Sequence, residues 1–183
     1  MRAFFLLAIC LLCLSACEQS SYQPLDHNFT LQRLIILNDQ QEMLMSREDS
    51  VWAIPFLLYQ DRQHVKEGLD SVANSYGLTI TEVELRGQFS YHYDYHPYAS
   101  LRNYYFARYV SGTLKITEPV AEAKWLPIPE AIERNSITSI KEITRQIMNY
   151  PDVVWGGSFM VREEGDKHPT EMVEEFYVLF KRE

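Results

Sequence analysis

The segment from Tyr91 to Tyr98 combines residue types that ligate metals or stack against rings. If it is extended, His92, Asp94 and His96 alternate onto one face, where two imidazoles and a carboxylate could ligate zinc. The same segment contains four tyrosines, namely Tyr91, Tyr93, Tyr95 and Tyr98. Aromatic faces of this kind form binding walls for ring-bearing or sugar ligands, but they also pack in cores. The sequence therefore leaves zinc binding, ligand binding and plain packing open for this segment.

A second group of candidate ligands is acidic and lies near the C-terminus. Glu171, Glu174 and Glu175 have the spacing ExxEE and follow the glycine pair at residues 156–157. Hard divalent cations such as Mg²⁺ prefer oxygen ligands, so these carboxylates are candidate metal ligands, with Glu122 as a further candidate. The other interpretation is a solvated acidic helix or strand that carries three apolar side chains into the core: Phe176, Val178 and Phe180.

The elements that must position these residues alternate between strand-like and helical patterns. Residues 31–37 and 42–46 are apolar and flank a turn-forming Asn-Asp-Gln-Gln segment, which predicts a β-hairpin. Residues 52–59 read as a buried extended segment interrupted by Pro55. Residues 63–76 have helical periodicity, and Gly77 stands where a glycine commonly ends a helix.

The second half of the chain continues this alternation. Residues 78–91 and 104–116 are strand-like and joined by the aromatic segment, whereas residues 129–134 and 136–149 are helical. The order predicts an α+β domain over residues 30–150, in which a mixed sheet is flanked by helices. We expect residues 151–183 to be a C-terminal extension that packs on the same domain.

The N-terminus has the pattern of an export signal. Arg2 precedes an apolar run over residues 3–14, which is too short to span a bilayer but typical of a signal peptide. Leu14-Ser15-Ala16-Cys17 resembles the lipobox of bacterial lipoproteins. The resemblance implies cleavage after residue 16, a lipid on Cys17, and a polar tether over residues 17–29. Because Glu18 follows the cysteine, it also implies sorting to the outer membrane, facing the periplasm.

Cysteine usage and charge agree with export. All three cysteines lie within the first 17 residues, so the body of the chain has no thiol that could mispair in an oxidising compartment. The formal net charge of −8, or −9 once Arg2 is removed, argues against nucleic acid as a partner. We therefore expect membrane attachment through the lipid on Cys17 and an unknown small-molecule or protein partner.

Several sequence landmarks occur in the order found in one hydrolase family. The hairpin LQRLIILNDQQEMLMS, Trp52-Ala-Ile-Pro55, a helix ending at Gly77-Leu78, and Glu122-Ala-Lys-Trp125-Leu-Pro follow one another. Over residues 30–150 the chain resembles the Nudix (MutT-type) family. This resemblance implies a Nudix-like fold and, in active members, Mg²⁺-dependent cleavage of a pyrophosphate bond.

The positions that bind metal in that family hold other residues here. Counting back from Gly77, the arginine of the family's Nudix box falls on Asp70, and its glutamates fall on Ser71, Asn74 and Ser75. The upstream glutamate falls near residue 62 or 63. Phe56 and Leu57 occupy the place of a glycine pair, and we expect them to fill core space. Because serine and asparagine supply no charge, we expect no Mg²⁺ site and no cofactor.

These observations favour a lipid-anchored envelope protein that binds a ligand or a protein without catalysis. The alternative is a divergent hydrolase that cleaves a nucleoside-diphosphate-type pyrophosphate. In that case Mg²⁺ would be the cofactor, held by non-standard carboxylates such as Glu171, Glu174, Glu175 or Glu122.

Overall fold

The computed structural model describes residues 28–58, 64–165 and 167–182. The predicted signal, Cys17 and most of the tether lie outside the described residues, as do residues 62 and 63. The elements are, in chain order, β1 (Phe29–Leu37), β2 (Glu42–Glu48), β3 (Val51–Ala53), β4 (Phe56–Leu58), α1 (Val65–Ser75), β5 (Leu78–Tyr93), β6 (Ser100–Gly112), β7 (Val120–Pro127), α2 (Ile128–Arg134), α3 (Thr138–Asn149), β8 (Val153–Val161) and β9 (Thr170–Lys181).

The described strands form one mixed sheet. Its main path runs β3-β2-β1-β6-β5-β8-β9, while β4 pairs with β1 and β7 pairs with β2. The pairs β1–β6 and β5–β8 are parallel, and the others are antiparallel. The predicted α+β class with a sheet flanked by helices is thus confirmed, and so is the β1–β2 hairpin.

Strand β1 is covered on both faces because its apolar side chains alternate between two cores. Leu34 and Ile36 pack with the apolar side of α1, which we call the α1 face of the sheet. Ile35 and Leu37 pack on the opposite side with α2 and α3, which we call the α3 face. Successive strand residues point to opposite faces, so a continuous apolar run is the pattern expected of such a doubly covered strand.

Helix α1 ends as its sequence predicts. The Gly77 N–H donates to the Asn74 carbonyl oxygen at 2.8 Å, and the Gly77 backbone has a positive φ of 74°. A β-carbon at this position would lie 2.4 Å from the Thr113 carbonyl oxygen. Both the backbone conformation and the close approach therefore require glycine.

Residues 151–182 add the last two strands to the sheet. Strand β8 lies parallel to β5, and β9 is the edge strand beyond it. The pairing of β9 with β8 is irregular at three places, where β9 has one more residue than the stretch of β8 opposite it. At one of these bulges, the consecutive residues Val154 and Trp155 pair with Phe180 and Val178. Arg182 fixes the end of β9 by a two-pronged ion pair with Glu84, in which Nη1 lies 2.9 Å from Oε1. Hydrogen bonding to Arg182 lowers the pKa of Glu84 below its ordinary value.

Two predictions about local structure were wrong. Val178 and Phe180 do not enter the core but are 54% and 61% exposed, because β9 has no outer neighbour among the described strands. Phe176 does pack against the core. The predicted strand bounds of 78–91 and 104–116 also differ from the structure, since β5 continues to Tyr93 and β6 runs from Ser100 to Gly112, so residues 94–99 alone connect them.

Among the described residues, no helix combines the length and the apolar character needed to cross a membrane.

The Gly77 turn gives a testable prediction. Gly77→Ala should lower the free energy of unfolding by more than Gly165→Ala, which has a similar φ of 61° but no atom within 4 Å of the added carbon. The control should cost about 1–2 kcal/mol for its left-handed backbone, and Gly77→Ala should exceed it because of the clash with Thr113. Urea denaturation measures both values, and equal losses would contradict the assignment.

Candidate functional site

The exposed side of α1 carries the positions at which the sequence predicts a lost metal site. His64, Lys66, Glu67, Asp70, Ser71 and Asn74 line an open depression there. The Asp70 carboxylate lies 2.6 Å from the Lys66 ammonium, which pairs its charge, and the Ser75 hydroxyl donates back to the Val72 carbonyl oxygen. These side chains present one paired aspartate, one glutamate and neutral groups to solvent.

The alternative carboxylates do not converge. Glu122 on β7 forms ion pairs with Arg47 and Lys124 at 3.3 and 3.0 Å. Strand β7 pairs with β2, near the end of the sheet that lies farthest from β9. On β9, Glu171 pairs with Arg162 at 2.7 Å, whereas Glu174 accepts a hydrogen bond from Ser158 and Glu175 is exposed. Within the described ranges, no three histidine, cysteine, aspartate or glutamate side chains are grouped as a metal site requires.

His92, Asp94 and His96 are likewise not brought together as a zinc site. Asp94 accepts a hydrogen bond from the Glu163 N–H at 3.0 Å and faces Arg162. The His96 ring stacks on Tyr93, with centroids 4.2 Å apart, and its Nδ1 accepts from the Tyr98 N–H. Asp94 and His96 are therefore occupied by protein contacts in different directions.

A larger concavity opens on the α3 face. This pocket, of about 770 Å³, lies where β1, β4 and the end of β5 approach the residues that precede α3. We call it the α3-face pocket. Its wall is mainly apolar and aromatic, and includes Phe29, Leu31, Phe56, Leu58, Tyr93 and Tyr95. Phe56 is 43% exposed, so the prediction that it fills core space was wrong, whereas Leu57 does pack against the α1-face core.

The four tyrosines singled out from the sequence have different roles. Tyr93 and Tyr95 line the pocket, and the Tyr95 ring lies 5.4 Å from His168, another pocket residue. Tyr91 is fully buried in the α3-face core, because it shares the inward-facing side of β5 with Phe89. Tyr98 contacts His96 at 5.6 Å between ring centroids. Half of the predicted aromatic wall is therefore at the pocket.

Arg102 is the cationic residue of the pocket wall. Its guanidinium carbon lies 3.5 Å from the centroid of the Tyr91 ring, a close cation–π contact. Its Nη2 donates to the Tyr93 hydroxyl at 3.2 Å, and that hydroxyl is also 3.0 Å from the Ser100 hydroxyl. These contacts hold the guanidinium in one orientation.

Arg33 supplies a second positive charge beside the pocket. It is only 5% exposed, its Nη1 donates to the Ile54 carbonyl oxygen at 3.3 Å, and its guanidinium carbon lies 4.7 Å from the ring centroid of Phe56. Burial lowers the pKa of Arg33, and the charge of Arg102 lowers it further. Its Nε has no hydrogen-bond partner in the part of the chain that the structure describes.

The groups that act on these two arginines are mainly tyrosines; one acid, Glu48, attracts Arg33 more weakly than Tyr104 or Tyr91 does and forms no ion pair with it. Burial raises the pKa of Tyr104 well above its ordinary value, so this residue is neutral near pH 7. The nearby Tyr91 hydroxyl also raises the pKa of Tyr104. Neither hydroxyl makes a hydrogen bond of standard geometry with a described residue. Neither arginine was predicted from the sequence, although Arg33 interrupts the apolar strand LQRLIIL at an inward-facing position, which is a recognisable signal.

Comparison with known proteins identifies the fold. No family model and no curated protein matches the chain. Among solved structures, the MutT mutator protein from Bacillus halodurans is similar over 82% of this chain and 97% of its own, with a TM-score of 0.68 and 15% identity. A Nudix hydrolase from Nitrosomonas europaea (67% and 89% covered, TM-score 0.56) and a MutT protein from Methanosarcina mazei Go1 (67% and 94%, TM-score 0.54) are each 13% identical. The chain has a Nudix-like fold.

Tyr104 gives a test of this electrostatic arrangement. Because the Tyr104 hydroxyl makes no standard hydrogen bond, Tyr104→Phe should change the free energy of unfolding at pH 7 by less than about 1 kcal/mol. Above pH 10 the unfolded wild-type chain loses the Tyr104 proton while the folded chain retains it, so stability falls as pH rises. The variant should lose less stability over this range, measured by urea denaturation at several alkaline pH values.

Tyr150→Phe is the control, because Tyr150 is an exposed tyrosine. It should retain the alkaline loss of the wild type. An identical pH dependence for Tyr104→Phe and the wild type would show that the Tyr104 environment differs from the one described.

Proposed function

We propose that this chain is a non-catalytic binding module built on a Nudix-like fold and anchored to the cell envelope by a lipid on Cys17. Its ligand occupies the α3-face pocket. The proposal rests on two features observed together. The α3 face has a large pocket, and, among the described residues, the exposed side of α1 has no group of carboxylates that could hold a metal.

The pocket has the properties of a small-molecule site. Its volume of about 770 Å³ lies within the range of roughly 300–1,000 Å³ that is usual for such sites. Its apolar and aromatic wall is interrupted by a few polar groups, among them Arg102, Ser136 and His168. Apolar walls supply affinity and a few fixed polar groups supply orientation, which supports a ligand with an apolar or ring-bearing body.

Helix α1 supports binding rather than catalysis. Leu69, Val72 and Ala73 bury its apolar side, so the helix is needed for packing whatever its other side carries. Ser71, Asn74 and Ser75 stand at the positions of the family's box glutamates and are exposed. Without those carboxylates, the charge needed to hold Mg²⁺ against a pyrophosphate is missing from this helix.

The location is part of the proposal. The lipobox-like Leu14-Ser15-Ala16-Cys17 and the following Glu18 support attachment to the outer membrane, facing the periplasm. The negative charge of the chain favours a lipid, not a basic surface, as the means of membrane attachment. The partner is then a small molecule in the envelope, and nucleic acid is not expected.

The absence of catalysis can be tested directly. With Mg²⁺ or Mn²⁺ present, the purified chain should release no phosphate from a panel of nucleoside diphosphate derivatives above the protein-free background. The reason is that its candidate acids are separated or paired with cations, as Glu171 is with Arg162. Metal-dependent turnover that is abolished by Glu171→Gln would favour the divergent hydrolase instead.

The position of the ligand can be tested with a naphthalene-based fluorescent probe such as 8-anilinonaphthalene-1-sulfonate. Leu58→Trp should reduce binding at least about tenfold, because the larger side chain fills the pocket. Asn74→Glu is the matched control on the exposed side of α1, and it should leave probe affinity unchanged. Equal affinity in Leu58→Trp and the wild type would place the ligand elsewhere.

A further inference from the structure

We infer that the α3-face pocket selects ligands that carry an oxyanion, a carboxylate or a phosphate ester, on an apolar or ring-bearing body. Arg102 binds the anion, and Arg33 contributes a second positive charge from beneath Phe56. This inference rests on the proposed function and adds the chemical class of the ligand.

Arg33 and Arg102 differ from the other arginines in charge pairing. The other arginines of the described residues each form an ion pair with a carboxylate, and these arginines are Arg47, Arg86, Arg108, Arg134, Arg145, Arg162 and Arg182. Within the described ranges, Arg33 and Arg102 form none. The chain contains 25 acidic and 17 basic residues, so acids are not scarce overall. The lack of an ion pair at Arg33 and Arg102 is therefore a feature of the pocket region.

Arg102 is held in one orientation with one donor free to face a ligand. Its flat face lies on Tyr91, while Nε and Nη2 donate to the Ser100 and Tyr93 hydroxyls. Its Nη1 makes no hydrogen bond to any described residue and remains as a donor for a ligand. A guanidinium held in this way loses little freedom when it binds, and its planar donors match the oxygens of carboxylates and phosphates.

Arg33 is buried beside the pocket. It is only 5% exposed, and its Nε has no hydrogen-bond partner among the described residues. A buried cation without a counter-charge destabilises a protein, and a nearby anion offsets that cost. The Phe56 ring lies over the Arg33 guanidinium and also forms part of the pocket wall. An anion in the pocket would therefore act on both arginines.

The body of the ligand follows from the rest of the wall. Phe29, Leu31 and Leu58 present apolar surface, and Tyr95 adds an aromatic face at the opposite side. These groups suit one or two rings or a short alkyl chain. A free inorganic anion would leave most of the apolar wall uncovered, so we expect it to bind weakly.

A matched pair of fluorescent probes tests the inference. 8-Anilinonaphthalene-1-sulfonate and N-phenyl-1-naphthylamine share one ring system and differ by the sulfonate. The purified chain, titrated in detergent-free buffer, should bind the sulfonate at least about tenfold more tightly than the neutral amine. Arg102→Gln should bring the affinities for the two probes close together by weakening sulfonate binding, and a circular-dichroism spectrum like that of the wild type shows that the variant is folded.

Arg108→Gln is the control on the same strand, because Arg108 is exposed and paired with Glu82 at 2.9 Å. It should keep the wild-type preference for the sulfonate. Competition then identifies the anion: 1-naphthoate and 1-naphthyl phosphate should displace the probe, whereas 1-naphthalenemethanol should not. Displacement by one of the two anions alone would identify the group that the pocket accepts.

Two outcomes overturn the inference in different ways. Equal affinity for the charged and neutral probes, with Leu58→Trp still blocking both, would show a binding pocket that does not select anions. In that case the proposed function stands and the ligand class is wrong. If neither probe binds to the wild-type chain, the proposed function and the ligand class both fail.

Discussion

Strand β1 must satisfy two cores at once, and this constraint shapes the molecule. Leu34 and Ile36 are buried against α1, while Ile35 and Leu37 are buried against the helices on the other face. Since side chains alternate strictly along a strand, Arg33 is directed to the same face as Ile35. The sheet therefore holds a guanidinium at the margin of its own core. The neighbouring strands accommodate it with tyrosines and with Phe56.

The same constraint assigns the buried side of α1 to packing, independently of the residues on its exposed side. Its buried side is fixed by Leu34, Ile36 and Leu44 of the sheet, so substitutions on its exposed side leave the fold intact. The packing role of the helix does not depend on what its exposed side carries. A Nudix-like fold is therefore compatible with identities of 15% or less to the similar solved structures.

Elements with strong periodicity could be predicted from the sequence, and the details of the site could not. The hairpin and the helix ending at Gly77 were predicted because apolar spacing and turn residues specify them locally. The sequence left Tyr91 open between core packing and a binding wall, because an alternating aromatic strand and an exposed aromatic wall have the same sequence pattern. Phe56 was wrongly predicted to be buried. Its apolar side chain alone does not show that it covers the Arg33 guanidinium, which forms no ion pair with the described residues. The pocket joins residues from distant parts of the chain, and the pairing of β1 with β4 and β6 brings several of them together.

The irregular pairing of β9 has a consequence for how copies of the chain could meet. An exposed apolar edge strand with a regular backbone is a template for chain-to-chain association. In β9 the extra residues opposite β8 interrupt the spacing of outward amide and carbonyl groups along the edge. A neighbouring copy would find no continuous ladder to extend, even though Val178 and Phe180 are exposed beside it. The bulges thus make this edge a poor template for pairing with another chain without covering the strand.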